Sequence, residues 1–207
     1  MRVLIFIIAI LPSVLAGCLP AAPPETAAAG ARRMVSVANP LAAEAAMQVL
    51  AGGGSAVDAA VAAQMVLSLV EPQSSGIGGG AFMLHFDERS GRVTSYDGRE
   101  TAPRGARPNM FLDAGKPMKF MSAAAGGTAV GVPGVLRMLE LAHNKHGKLA
   151  WRRLFEPAIE LAESGFSMSP RLATLLAREK ILRAAPGARG YFYTKEGETR
   201  TIGTMLR

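Results

Sequence analysis

The fold of this chain is decided by residues 71–103, which read EPQSSGIGGGAFMLHFDERSGRVTSYDGRETAP. Four glycines lie within residues 76–80, and glycine backbone can take positive φ angles and approach another backbone closely. An apolar run follows at residues 81–87, turn residues occupy 88–91, and residues 92–97 can return antiparallel to the run. The stretch therefore predicts a buried β-hairpin that is entered from a tight glycine turn.

One arginine, Arg99, comes just after the returning strand. A guanidinium is costly to bury without a partner, so we expect it to reach water, a carboxylate or a ligand. Spacing alone leaves two interpretations open. Arg99 forms a solvated ion pair with Glu100, as is usual for charged residues at strand ends, or it captures a substrate carboxylate, for which the planar guanidinium suits better than a lysine ammonium.

Two helices are predicted before the hairpin. Asn39 fits the N-cap of the first helix, after a short strand at residues 35–38. Ser55 and Asp58 have the spacing of a capping box at the start of the second helix. Residues 56–70 of that second helix are apolar nearly all round, which predicts a helix buried in the core.

Three more helical segments are predicted after the hairpin. Residues 134–146 form one helix, which a glycine ends. Residues 151–164 contain Pro157, which predicts two shorter helices or a kink in place of one straight rod. Ser169 then caps a basic helix that runs toward Arg183.

Several ordered motifs resemble the large subunit of γ-glutamyltransferases, which are also called glutathione hydrolases. In the hairpin region they are SSGIGGGAFML and DGRETAP followed by MFLD. Upstream lies ANPLAAEAAMQVLAGGGSAVDAAVAA, and downstream lie GTAVGVPG, LELAHNKHGKLAW and LFEPAIELAESGFSMSPRLA. The resemblance extends from about Val35 to the last residue, so it covers most of the chain.

The resemblance implies both a fold and a binding residue. Periodicity alone supports a mixture of helices and strands, whereas the resemblance implies an α+β fold that is a truncated part of a four-layer αββα sandwich of the N-terminal-nucleophile hydrolase type. In that family the arginine of the DGRETAP-type motif binds the α-carboxylate of the γ-glutamyl group. The resemblance therefore implies that Arg99 is a substrate-binding residue.

The implied reaction needs a nucleophile that this sequence lacks. The family cleaves itself before a threonine in a Thr-Thr-His type motif and then attacks γ-glutamyl amides such as glutathione through that threonine. No Thr-Thr-His occurs before the last residue, Arg207. We therefore expect no catalytic residue in this chain, inactivity of the chain alone, and a C-terminal catalytic small subunit as partner. The alternative is a non-catalytic, membrane-anchored lipoprotein remnant of the same scaffold.

Other candidate groups are hydroxyl residues and histidines. The hydroxyl residues near the hairpin are Ser74, Ser75, Thr101 and Thr128. Their positions are typical of turn and cap residues, whose hydroxyls bond local backbone. His143 and His146 lie three residues apart on a predicted helix, and neither they nor His85 has the acidic or cysteine partner of a familiar metal motif. The sequence predicts no metal and no cofactor.

The N-terminus has the pattern of a bacterial lipoprotein signal. Residues 1–2 give a basic start, and the apolar run at residues 3–11 is too short to span a bilayer about 30 Å thick. Residues 15–18 read LAGC and resemble a lipobox, which implies cleavage before Cys18 and lipid on that cysteine. We expect export to the periplasmic side and anchoring to a bacterial membrane, and Leu19, which is not the aspartate of inner-membrane retention, leaves the outer membrane open as the destination.

Three segments are predicted from this pattern. Residues 1–17 are a signal peptide, and residues 18–32 are an alanine- and proline-rich tether that buries little apolar surface. Residues 33–207 form a partial γ-glutamyltransferase large-subunit domain.

Nucleic-acid binding is the function class that the charge first suggests. The net charge is +7 and the sequence pI is about 10.1. The basic residues are nevertheless spread along the chain, and aromatic residues for base stacking do not lie among them. We therefore exclude nucleic acid as a partner and attribute the charge to a solvated face near anionic lipid headgroups.

Overall fold

The structure is a computed structural model that describes residues 33–207, which form a single unit. The predicted signal peptide, the tether and the lipidation of Cys18 lie outside the described residues. The α-helices are α1 Pro40–Ala51, α2 Ala56–Val70, α3 Phe120–Ala124, α4 Val135–His146, α5 Glu156–Ser164, α6 Pro170–Arg178 and α7 Pro186–Phe192. The strands are β1 Ala81–Asp87, β2 Arg92–Gly98, β3 Leu112–Asp113, β4 Lys116–Pro117, β5 Phe166–Ser167 and β6 Met205–Leu206.

The predicted hairpin is confirmed. β1 and β2 pair antiparallel, with a register that runs from Ala81 opposite Gly98 to Asp87 opposite Arg92. Gly91 in the turn has a φ of 67°, the left-handed conformation that glycine adopts without steric cost. The strands β3 and β4 form a second short hairpin, and β5 pairs with β6.

The hairpin is less buried than its apolar sequence predicts. The inner face of β1 packs toward α4, while Phe82, Leu84 and Phe86 point outward and are 62%, 73% and 62% exposed. Val93, opposite Phe86 on β2, is also 62% exposed. Alternation along a strand places these side chains together on one face, so the hairpin carries an uncovered apolar surface.

Both predicted N-caps before the hairpin are confirmed. The side-chain oxygen of Asn39 accepts a hydrogen bond from the backbone N–H of Leu41 at 3.0 Å. At the start of α2, the Asp58 N–H donates to Ser55 Oγ at 3.1 Å and the Ser55 N–H donates to Asp58 Oδ2 at 2.8 Å. Each cap satisfies backbone donors that the first helical turn leaves unpaired.

The core of the described unit is built around α2, as its sequence predicts. Val61, Ala62 and Val66 are fully buried, and α2 packs against α1, α4 and α5. Burial of a valine side chain contributes about 1.5–3 kcal/mol to stability relative to exposure. The remaining core side chains come mainly from α1, α4 and α6.

The structure departs from the sequence prediction at two segments and agrees with it at a third. The short strand predicted at residues 35–38 is not formed: this segment has no regular secondary structure and pairs with no strand among the described residues. The break predicted at Pro157 is present as a 3₁₀ helix at Trp151–Leu154 followed by α5. The basic helix α6 ends at Arg178, before Arg183, since Glu179 turns extended and its carboxylate accepts a hydrogen bond from the Ile181 N–H.

A buried carboxylate joins three helix ends. Glu71, at the end of α2, is only 2% exposed. Its Oε1 accepts hydrogen bonds from Asn39 Nδ2 at 2.7 Å and Ser169 Oγ at 3.0 Å, while its Oε2 accepts one from Gln73. An Arg171 guanidinium nitrogen lies 3.6 Å from Oε2. The N-caps of α1 and α6 are thereby held to the end of α2.

None of the helices within residues 33–207 combines the length and hydrophobicity that a membrane crossing requires.

Candidate functional site

Arg99 emerges at the end of the hairpin as predicted, and its side chain is accessible. Its backbone N–H donates to Asp97 Oδ1 at 2.9 Å, which fixes the turn of the chain after β2. The side chain is 68% exposed, and its Nε lies 3.8 Å from Glu100 Oε2. An exposed pair at this distance contributes about 0–1 kcal/mol. Arg99 therefore forms the ion pair with Glu100 that spacing alone suggests. Its exposed guanidinium also retains N–H donors that a ligand carboxylate could use.

The segment that carries Arg99 lies between two loops that are distant in sequence. Thr101 and Val132 exchange backbone hydrogen bonds, at 3.2 Å and 2.9 Å, in an isolated antiparallel bridge. The carbonyl oxygen of Gly79 accepts from the N–H groups of Gly134 and Val135, both at 3.2 Å. The glycine turn, the Arg99 segment and the loop before α4 are thus joined through backbone bonds.

Two glycines, Gly80 and Gly134, are required here for close packing and not for unusual backbone angles. None of the glycines in residues 76–80 has a positive φ, which differs from the sequence expectation. A Cβ at Gly80 would lie against the Glu100 carboxylate and 2.9 Å from Arg99 Cα. A Cβ at Gly134 would lie 2.6 Å from the Arg99 carbonyl oxygen. Only glycine lets these backbones approach the Arg99 segment so closely.

An open cavity of about 380 Å³ lies beside Arg99. Its polar wall comes from Arg99, Glu100 and the two threonines Thr101 and Thr128. Apolar side chains complete the wall, among them Met110, Phe111 and Val130. A guanidinium with nearby hydroxyls can bind a small carboxylate by charge-assisted hydrogen bonds, while the apolar wall accommodates a methylene chain.

A second open cavity of about 380 Å³ lies on the other side of Glu100, against the glycine turn. Ser74 and Ser75 line it, and both donate their backbone N–H groups to the Glu71 carbonyl oxygen, which places them in a turn as predicted. The Ser75 hydroxyl differs from the prediction, because it accepts a hydrogen bond from the Gln64 side chain, at 2.7 Å, and not from local backbone. Both serines thus contribute to the base of the turn.

The histidines that the sequence places on one helix have separate partners. His143 Nε2 donates to the Leu149 carbonyl oxygen at 2.9 Å and lies 3.5 Å from the buried Asp58 carboxylate. His146 instead stacks on His85. Within residues 33–207 there is no cluster of three or more histidine, cysteine, aspartate or glutamate side chains suited to a metal ion.

Sequence reasoning missed part of the cavity beside Arg99. Met110, Phe111 and Val130 were not singled out, and Thr128 was considered only as a turn residue. Thr128 and Val130 come close to Arg99 because the Thr101–Val132 bridge holds their loop beside it, and no local spacing rule predicts such a contact. The sequence signal for this contact is that GTAVGVPG, which contains Thr128 and Val130, and DGRETAP, which contains Arg99, are both motifs of the same family resemblance.

Comparison with known proteins shows the family of the chain. Residues 42–207 match the family described as Gamma-glutamyltranspeptidase. A relative named Glutathione hydrolase proenzyme from Bacillus subtilis is 46% identical over 174 residues, which cover 80% of this chain and 29% of the relative.

Solved structures agree with the sequence comparison. The Helicobacter pylori gamma-glutamyltranspeptidase is 36% identical with a TM-score of 0.76, over 84% of this chain and 50% of that one. A cephalosporin acylase from Bacillus halodurans matches with a TM-score of 0.60 and 26% identity, over 89% of this chain and 36% of that one. The chain thus spans well under two thirds of the proteins it matches. Its α+β fold and its sequence nevertheless place it in the gamma-glutamyltranspeptidase family.

Proposed function

We propose that this chain is part of a glutathione hydrolase that cleaves γ-glutamyl amides and passes the γ-glutamyl group to water or to an amino acid. The observation that carries the proposal is the accessible Arg99 guanidinium at the rim of a cavity with an apolar wall. Membership of the family and the printed name of the Bacillus subtilis relative support the same reaction.

In this proposal Arg99 binds the α-carboxylate of the γ-glutamyl group. The guanidinium is held loosely by Glu100, at 3.8 Å, so a ligand carboxylate can compete for its donors. Thr101 and Thr128 line the same cavity and provide hydroxyl groups for further hydrogen bonds. The substrate methylenes would lie along Phe111 and its apolar neighbours.

The nucleophile belongs, in this proposal, to a C-terminal catalytic small subunit. Its N-terminal threonine would attack the γ-glutamyl carbonyl, expel the amine and form an ester that water or an acceptor amine resolves. The described residues contribute substrate binding, and no step of the reaction uses a metal or cofactor. The chain alone is expected to be inactive.

The exposed face of the hairpin supports completion of the fold by further sequence. Phe82, Leu84, Phe86 and Val93 form an apolar face that the described residues leave uncovered. Two-stranded sheets are marginal alone and gain stability when an apolar face is packed. We propose that the missing part of an αββα sandwich covers this face.

The N-terminal signal supports a proposal about location. We propose that Cys18 is lipidated and holds the protein on the periplasmic side of a bacterial membrane. The support is the LAGC sequence after a short apolar run. Metabolic labelling with a palmitate analogue should mark the wild-type chain and leave Cys18→Ala unlabelled. Equal labelling of the two would refute lipidation.

The proposed reaction is tested by extending the coding sequence beyond the codon for Arg207. The reading frame should continue into a Thr-Thr-His motif, and the extended protein should cleave itself and hydrolyse a γ-glutamyl anilide. The 207-residue chain, assayed beside it, should show no turnover. An extended and self-cleaved protein without γ-glutamyl hydrolysis would contradict the proposed substrate class. A stop with no such motif nearby would instead favour the non-catalytic lipoprotein remnant.

A further inference from the structure

Two histidines from distant parts of the sequence stack face to face beneath the hairpin. The rings of His85, on β1, and His146, the last residue of α4, have centroids 3.8 Å apart and planes inclined by only 15°. His146 Nε2 lies 2.8 Å from the Tyr96 hydroxyl of β2. We call His85, Tyr96 and His146 the histidine clasp.

The hairpin also contacts α4 away from the clasp. Gly98 lies so close to Met138 that a Cβ on Gly98 would be 2.6 Å from the Met138 Cβ. That contact is between apolar groups and does not depend on pH. The clasp joins the same two elements through ionisable rings, so its strength depends on protonation.

The stacking geometry, rather than the hydrogen bond to Tyr96, favours a neutral His146. The Tyr96 hydroxyl donates to Nε2 when that nitrogen carries no proton and accepts from it when it does, so this bond forms in both states. His85 Nδ1 is buried and finds no hydrogen-bond partner in the described part of the chain. A positive charge on His146 would lie face to face with a second imidazole 3.8 Å away, a contact that offers the charge no acceptor.

The charged groups around the clasp act in both directions. Burial, then the neighbouring His85 and Lys145, lower the pKa of His146 below its ordinary value of 6.5, whereas Asp87 raises it. Lys145 Nζ lies 5.5 Å from the centre of the Tyr96 ring and adds positive charge on the same side. The C-terminal end of α4 favours an imidazolium, as Asp87 does, but burial and the two neighbours His85 and Lys145 outweigh them.

We propose that the histidine clasp is a pH-sensitive contact that holds the β1–β2 hairpin on α4 near neutral pH and loosens on acidification. The sign follows from linkage. A histidine whose pKa is lower in the folded state than in the unfolded state stabilises the fold at pH values above its unfolded-state pKa. This stabilisation is lost as the pH falls through the lower, folded-state pKa. The hairpin is therefore attached most firmly on the neutral and alkaline side of the histidine titration.

The test is a proton NMR titration of the full chain, which has only three histidines and so gives few ring signals to assign. His146 should titrate below the ordinary histidine value. In His85→Phe, which keeps an aromatic ring and removes the second imidazole, the pKa of His146 should rise toward the ordinary value. An unchanged His146 titration in this variant would overturn the proposal.

Denaturant unfolding gives a second readout. Between about pH 8 and about pH 5, the range of histidine titration, the unfolding midpoint of the wild type should fall more than that of His146→Phe. Leu84→Ser, on the outer face of the same strand, is the matched control and should keep the wild-type pH dependence. Equal losses in wild type and His146→Phe would contradict the clasp. If either phenylalanine variant does not fold, the wild-type titration still decides the question, because a His146 pKa at or above the ordinary histidine value would overturn the proposal.

Discussion

Glu71 and Asn39 are 32 residues apart in sequence and are joined by a buried hydrogen bond of 2.7 Å between Asn39 Nδ2 and Glu71 Oε1. Asn39 caps α1 with its other side-chain atom, so one residue serves both the helix start and the contact. The end of α2 and the start of α1 are fixed together just before the chain enters the glycine turn.

Removal of the Glu71 carboxylate should destabilise the fold more than an ordinary surface change. Glu71→Ala leaves three donors and the Arg171 charge without their acceptor, for an expected loss of about 2–5 kcal/mol in the free energy of unfolding. Denaturant unfolding of the full chain measures it. Glu44→Ala, an exposed carboxylate on α1, should stay within about 0.5 kcal/mol of wild type. Similar values for the two variants would contradict the structural role of Glu71.

Substitution of Gly134 should disturb the segment that carries Arg99. A Cβ there would lie 2.6 Å from the Arg99 carbonyl oxygen, so Gly134→Ala requires a backbone shift that costs about 1–3 kcal/mol. Gly78→Ala is the matched control, because no atom beyond its chain neighbours lies within 4 Å of a Cβ at that position. Thermal unfolding of both variants checks the difference. Equal stability would show that the close approach at Gly134 is not required.

The hairpin turn should lose stability in acid through Asp87. Hydrogen bonds from the backbone N–H groups of Ser90 and Arg89 hold the pKa of the Asp87 carboxyl below its ordinary value of 3.8. The stabilisation by the Asp87 carboxylate is therefore present at pH values above its unfolded-state pKa. It is lost as the pH falls through the lower pKa of the folded state. Asp87→Asn should show a weaker acid dependence of unfolding than wild type, and Asp113→Asn should match wild type. A wild-type acid dependence in Asp87→Asn would contradict this account.

The predictable parts of the fold are those set by neighbouring residues. Asn39 and the Ser55–Asp58 pair cap helices through bonds that span two or three residues, so their sequence patterns suffice. The β1–β2 hairpin follows from an apolar run, a turn and a return. These features depend little on the rest of the structure.

The parts that could not be predicted depend on contacts between distant residues. Glu71 reads as an ordinary helix end, and its partner Ser169 is 98 residues away. His85 meets His146 only because the hairpin packs on α4. The outward direction of Leu84 also depends on which face of the hairpin the helices cover, and an apolar run does not specify that face.

The candidate site was predicted only in its central residue. Arg99 stood out because charge at a strand end and the DGRETAP motif point to the same position. The cavity beside it is also lined by Phe111 and Thr128, and the loop that carries Thr128 is held there by the backbone bridge between Thr101 and Val132. That bridge pairs single residues without a strand pattern on either side.

The most direct test of the central claim is steady-state kinetics of Arg99→Glu in the completed, self-cleaved enzyme with a γ-glutamyl anilide. The account predicts that kcat/KM falls by at least about tenfold, mainly through a higher KM, since charge-assisted hydrogen bonds to the substrate carboxylate are lost. Arg92→Glu, at the opposite end of β2, should retain wild-type kinetics. A wild-type KM in Arg99→Glu would contradict the account, because Arg99 would then not bind the γ-glutamyl carboxylate.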